Sequence, residues 1–119
     1  MSDTKPPAPE GQAKLDIADF ARLDLRVGRI QLAEKIAGSK KLVKLQVDLG
    51  SESRQLVAGT AEAYAPEALV GKTVVVLANL KPAKLMGVES NGMILAADVG
   101  GRPVLCTFEE TVPPGTKVR

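Results

Sequence analysis

The chain has 119 residues, the size of one domain, and 45% of them are hydrophobic, enough for a single core. It carries a net charge of +2, no histidine and one cysteine, Cys106, which excludes Ser-His-Asp and Cys-His nucleophiles, His-ligated metal sites and an internal disulfide. Aromatic residues make up 3% (Phe20, Tyr64 and Phe108), so the core is expected to consist of Val, Leu, Ile and Ala, and no broad aromatic platform for stacking bases is available.

Residues 1–15 read as a flexible Pro-rich tail, with Pro6, Pro7 and Pro9 favouring extended chain. This start is unlike a signal peptide, and no run approaches the roughly 20 apolar residues of a membrane span, so the expected location is cytoplasmic. One ordered domain is expected over residues 16–119. Asp16 is placed to cap a single helical turn through Ala21, with Ile17 and Phe20 on one side.

Leu25 to Ala33 is the first strand. Its apolar residues change parity, Leu25 and Val27 being odd and Ile30 and Leu32 even, with Gly28-Arg29 between them. A strand that keeps one face buried changes parity by adding a residue, so a β-bulge is expected at Gly28. After the Gly38-Ser39-Lys40 turn, Val43, Leu45, Val47 and Leu49 alternate with polar residues as a half-buried strand. Gly50-Ser51-Glu52 then turns the chain into a third strand, Arg54 to Ala58.

Ala65 to Gly71 reads as a short helix, with proline in its first turn and Gly71 closing it. Thr73 to Ala78 is a fourth, buried strand. Met93 to Ala97 and Val104 to Phe108 supply two more, and Cys106 reads as a small core hydrophobe. Three strands, a short helix and further strands describe an all-β chain: an OB-fold five-stranded Greek-key barrel with the helix between strands 3 and 4.

Charge is unevenly spread. Residues 22–54 hold eight basic and four acidic side chains, whereas residues 55–119 hold six of each. Lys40, Lys41 and Lys44 cluster in this early excess, as suits a partner with a phosphate backbone; a plain solvated face is the alternative. The stretch from Ala78 to Ala97 combines Lys81 and Lys84 with the donors and acceptors of Asn79, Ser90 and Asn91. Met93 is either an apolar pad for a base or ribose, or part of the core. The carboxylates Asp24, Asp48, Glu109 and Glu110 read as solvated surface, so no catalysis, cofactor or metal is expected.

Asp19-Phe20, Leu23 to Gly28, Leu42 to Leu45, Leu80-Lys81-Pro82, Gly92-Met93 and Val112 to Gly115 occur in an order and spacing that resembles one family. It is the tRNA-binding domain of many methionyl-tRNA synthetases, found at their C-terminus or as a free-standing protein or β subunit. The resemblance covers nearly all of residues 17–119. It implies an OB fold, homodimerisation, and recognition of tRNA by shape without catalysis, in partnership with a methionyl-tRNA synthetase. Carried over position by position, the tRNA-binding residues implied are Asn79, Lys81, Lys84, Ser90 and Met93, with Asn91 beside them and Lys40, Lys41 and Lys44 as further cations. Ala83 and Met86 stand where many relatives carry cations, which lowers the charge here. A CsaA-like peptide-binding chaperone on the same fold is the rival; that branch has Phe-Pro-Pro where this chain has Leu80-Lys81-Pro82.

Overall fold

The computed structural model describes residues 13–119; the tail expected over residues 1–15 lies mostly outside them. The elements are α1 (Ile17–Ala21), β1 (Leu25–Lys35), β2 (Val43–Asp48), β3 (Ser53–Ala58), α2 (Pro66–Leu69), β4 (Thr73–Leu77), β5 (Ala83–Leu85), β6 (Val88–Ser90), β7 (Met93–Ile94), β8 (Ala96–Val99), β9 (Arg102–Leu105) and β10 (Lys117–Val118). The main sheet runs β3-β2-β1-β4-β7, with β10 paired to the start of β1. All its pairings are antiparallel, and it curls into the expected OB-like barrel. Among the described residues no helix is long and apolar enough to cross a membrane.

Strand alternation builds the core. Val43, Leu45 and Val47 of β2 face inward against Leu56, Val74 and Val76, all almost fully buried. α2 drives Leu69 into this cluster, and Pro66 opens its first turn as the sequence predicts. β1 departs from the prediction. Its register against β4 runs unbroken through Gly28, and the irregularity falls between Ile30 and Leu32, so the bulge is at Gln31. Gly28 sits in regular strand. A β-carbon there would lie 2.6 Å from Val47 Cγ1 and 2.9 Å from Val76 Cγ2, so glycine provides room rather than a bend. The parity change has a different cause. Leu25 and Val27 are buried on the outer face, where the C-terminal segment hydrogen-bonds to both main-chain groups of Val27. Gly28 and Ile30 face inward, and the bulge then turns Ala33 inward and leaves Leu32 exposed.

Three other expectations change. Met93 to Ala97 is not one strand. It divides into β7 in the barrel and β8, which leaves to form a separate hairpin with β9. Cys106 is only partly buried. α1 forms as predicted, but Ile17 is 81% exposed and Phe20 40% exposed, so their shared side does not enter the core.

At the start of β1, Asp24 accepts hydrogen bonds from Arg26 Nε at 3.0 Å and from Lys117 Nζ at 3.3 Å. Arg26 above all, with Lys117, holds the Asp24 carboxyl below its ordinary pKa. A depressed carboxylate stabilises the fold above its unfolded pKa and loses that contribution as pH falls through the folded value. The denaturation midpoint is therefore expected to stay level from about pH 7 to about pH 5 and to fall below about pH 4. Asp24→Asn should flatten part of that acid limb; an identical limb in the variant would remove Asp24 as its source.

Candidate nucleic-acid interface

The segment between β4 and β7, read as a loop from its sequence, is a β-hairpin. β5 and β6 pair Ala83 with Ser90, Lys84 with Glu89 and Leu85 with Val88. Met86 and Gly87, with φ of 53° and 79°, make the tight turn at its tip. Pro82 and the short polar stretch around it gave no alternation from which to predict these strands.

The hairpin lies along the free edge of β3 and completes the barrel. Asn91 N donates to Gln55 O at 2.9 Å, and Gln55 Nε2 donates to Glu89 O at 2.9 Å. Arg54, half-buried, reaches across to donate to the carbonyls of Ala78 and Asn91. By sequence Arg54 is an ordinary strand residue; only the closure of the barrel gives it this task. Gly92 lets the seam close, because a β-carbon there would lie 2.9 Å from Leu56 Cδ2 and 3.1 Å from the Leu77 carbonyl.

The expected contact residues separate into two groups. Ser90 is 6% exposed. Its hydroxyl accepts from Val57 N at 2.9 Å and donates to Gly92 O at 3.1 Å, so it is committed to the seam. Asn79 is exposed, but its amide accepts from Asp24 N at 2.9 Å and donates to Arg22 O at 2.7 Å, tying the foot of the hairpin to the start of β1. Asn91 is partly buried, and its main chain serves the seam. Lys44 pairs with Glu34 across β1 and β2 at 3.1 Å, so its charge is already partly matched. In the other group, Lys81, Lys84, Lys40 and Lys41 are all exposed. Met93 is 45% exposed and pairs with Leu77, while its neighbour Ile94 packs against the core. The alternatives for Met93 resolve to an outward-facing side chain.

Tertiary structure joins the two lysine segments. A β-carbon on Gly38 would lie 3.3 Å from Met86 Cε, so the hairpin tip rests on the loop between β1 and β2 that carries Lys40 and Lys41. Ser39 Oγ shapes that loop by accepting from Leu42 N at 3.0 Å. Below it, the outer face of β1, β2 and β3 forms a shallow cavity of about 100 Å³ floored by Leu32, Gln46 and Gln55. In barrels of this fold, that face and the loops above it hold oligonucleotides. Among the described residues no group of His, Cys, Asp and Glu could hold a metal ion.

This division is testable by substitution. Ser90→Ala strips the partner from a buried Val57 N–H and should cost about 1–3 kcal/mol of stability. Met93→Ala, facing outward, should cost under about 0.5 kcal/mol. Urea denaturation of both variants checks this; a larger loss for Met93→Ala would return Met93 to the core.

Comparison with known proteins agrees with this geometry. The family model described as "Putative tRNA binding domain" matches residues 25–117. The methionine–tRNA ligase of Archaeoglobus fulgidus is 60% identical over 109 residues, which are 92% of this chain and 17% of that protein, so the chain spans about a sixth of that relative's length. A MetRS-related protein from Pyrococcus horikoshii superposes with a TM-score of 0.86 at 41% identity, covering 91% of this chain and 100% of the other. The chaperone CsaA of Bacillus anthracis superposes at 0.81 with 30% identity, covering 90% and 100%. With barrel, hairpin and lysine-bearing loop all inside the matched residues, the chain belongs to the tRNA-binding domain family.

Proposed function

We infer that this domain binds folded tRNA by shape and charge, without catalysis, and serves in trans as the tRNA-binding subunit or cofactor of a methionyl-tRNA synthetase in the cytoplasm. The observation that carries this reading is the contact between the hairpin tip and the 36–42 loop. That contact brings Lys84, close to the hairpin tip, to the loop that carries Lys40 and Lys41 in one cationic rim, and Lys81 adds a fourth exposed lysine at the hairpin's foot. Lys81, Lys84, Lys40 and Lys41 displace counterions from phosphates, and Met93 offers an apolar surface to a base or ribose. Asn79 and Ser90 hold the hairpin in place, and Asn91 contributes beside its foot. Lys44 acts as a weaker cation because Glu34 screens it.

The test is titration of folded tRNA against a single-stranded RNA of equal length at two salt concentrations. Tighter binding of the folded molecule supports the reading, and equal affinity for both rejects recognition by shape. The chaperone reading is favoured by Leu32, 64% exposed on the sheet face, and by the CsaA likeness. It calls for binding of unfolded polypeptide that survives high salt. The domain also acts as a homodimer in this proposal, because Leu15, Ile17, Phe20 and Leu23 are exposed together along the segment entering β1. Light scattering at micromolar concentration distinguishes dimer from monomer.

A further inference from the structure

We propose that the RNA footprint continues past the 36–42 loop onto the β8–β9 hairpin, where Arg102 and Lys41 form a further cleft for a backbone phosphate. This rests on the tRNA-binding reading and extends it to a residue far away in sequence. A cavity of about 390 Å³ opens between the two segments, lined by Lys41, Gly59, Glu62, Gly100, Gly101 and Arg102. Its two cations come from opposite sides, Lys41 from the loop before β2 and Arg102 from the first position of β9.

The main chain holds both in place. Lys41 O accepts from Ala61 N at 2.9 Å, and Lys41 N is directed at Ser39 Oγ. Asp98 Oδ1 accepts from Gly101 N at 2.8 Å and braces the turn before Arg102. Among the described residues neither Lys41 nor Arg102 forms an ion pair, whereas Arg26, Lys44, Arg54 and Lys117 each do. Between them, a β-carbon on Gly59 would meet no atom within 4 Å, so the floor there is open. A guanidinium presents a fork of donors that matches phosphate oxygens, with lysine adding a point charge. Lys41 belongs to the same 36–42 loop as Gly38, on which the tip of the β5–β6 hairpin rests. The cations thus form a band from Lys84 through Lys40 and Lys41 to Arg102. Glu62 on the cavity wall opposes an anion and provides a second handle.

The experiment titrates unfractionated folded tRNA against the full chain and its variants over a salt series. Arg102→Gln is expected to weaken binding about three- to tenfold and to lower the slope of log affinity against log salt by about one unit. Glu62→Gln should tighten binding about two- to threefold. Arg102→Lys should fall between wild type and Arg102→Gln, because it keeps the charge and loses the fork. Lys117→Gln is the charge-matched control. Lys117 neighbours Arg26 at the other end of the 11-residue β1, and its loss should change affinity less than twofold. Equal effects of Arg102→Gln and Lys117→Gln would reduce the proposal to overall charge and overturn it. So would an unchanged Arg102→Gln alongside weakened Lys81 and Lys84 variants, which leaves the tRNA-binding reading standing. A wild-type chain that binds no tRNA overturns both.

Discussion

Replacing Lys40, Lys41, Lys81 and Lys84 together with glutamine is expected to weaken tRNA binding by about a hundredfold near physiological salt while leaving the fold intact. Each lysine that neutralises a phosphate releases condensed counterions and contributes about 0.9 to the salt slope on a duplex and about 0.7 on a single strand. Four contacts should therefore remove about three units of slope, and the affinity gap should widen as salt is lowered. Stability should change little, because all four side chains are exposed and none forms an ion pair among the described residues. The two halves of the substitution should be similar in size, since the contact between Met86 and Gly38 makes the hairpin and the loop one surface. If the loop pair carried the whole effect, the hairpin would be serving only to close the barrel. An undiminished slope in the fourfold variant would remove this rim from the interface.

Gly28→Val is expected to have the largest effect on stability. The new β-carbon alone would sit 2.6 Å from Val47 Cγ1, 2.9 Å from Val76 Cγ2 and 3.3 Å from Leu49 Cδ2, before its two methyl groups are placed. These three neighbours are 0–1% exposed, with no solvent side toward which to yield. Overpacking of this kind costs about 1–3 kcal/mol and occasionally more. At about 4–8 °C per kcal/mol for a domain of this size, the melting temperature should fall by about 10 °C or more. Gln31→Ala, at the bulge itself, should cost far less, because its side chain is exposed. The reverse ranking in thermal melts would move the tight point of β1 from Gly28 to the bulge.

The long-range contact that defines the rim is also why the sequence revealed the barrel more readily than the site. Alternation in Val43 to Leu49, the apolar run of β4 and the proline and glycine flanking α2 are local patterns, and each became the element they predict. The parity change in β1 is likewise legible, but it does not mark the bulge. It arises because Leu25 and Val27 are covered on the outer face while Ile30 faces the core, and the register shift falls only after Ile30; sequence does not show which face of a strand another segment covers. Residue types also identified the four exposed lysines. What sequence could not separate was a polar side chain facing a ligand from one facing the protein. Ser90, Asn79 and Arg54 are as polar as any contact residue, and only the closure of β3 against the hairpin turns their hydrogen bonds inward. Arg102 is the converse case. It belongs to a hairpin outside the main sheet and meets Lys41 only because the chain leaves the barrel after β7, and no local pattern encodes a meeting between segments that far apart.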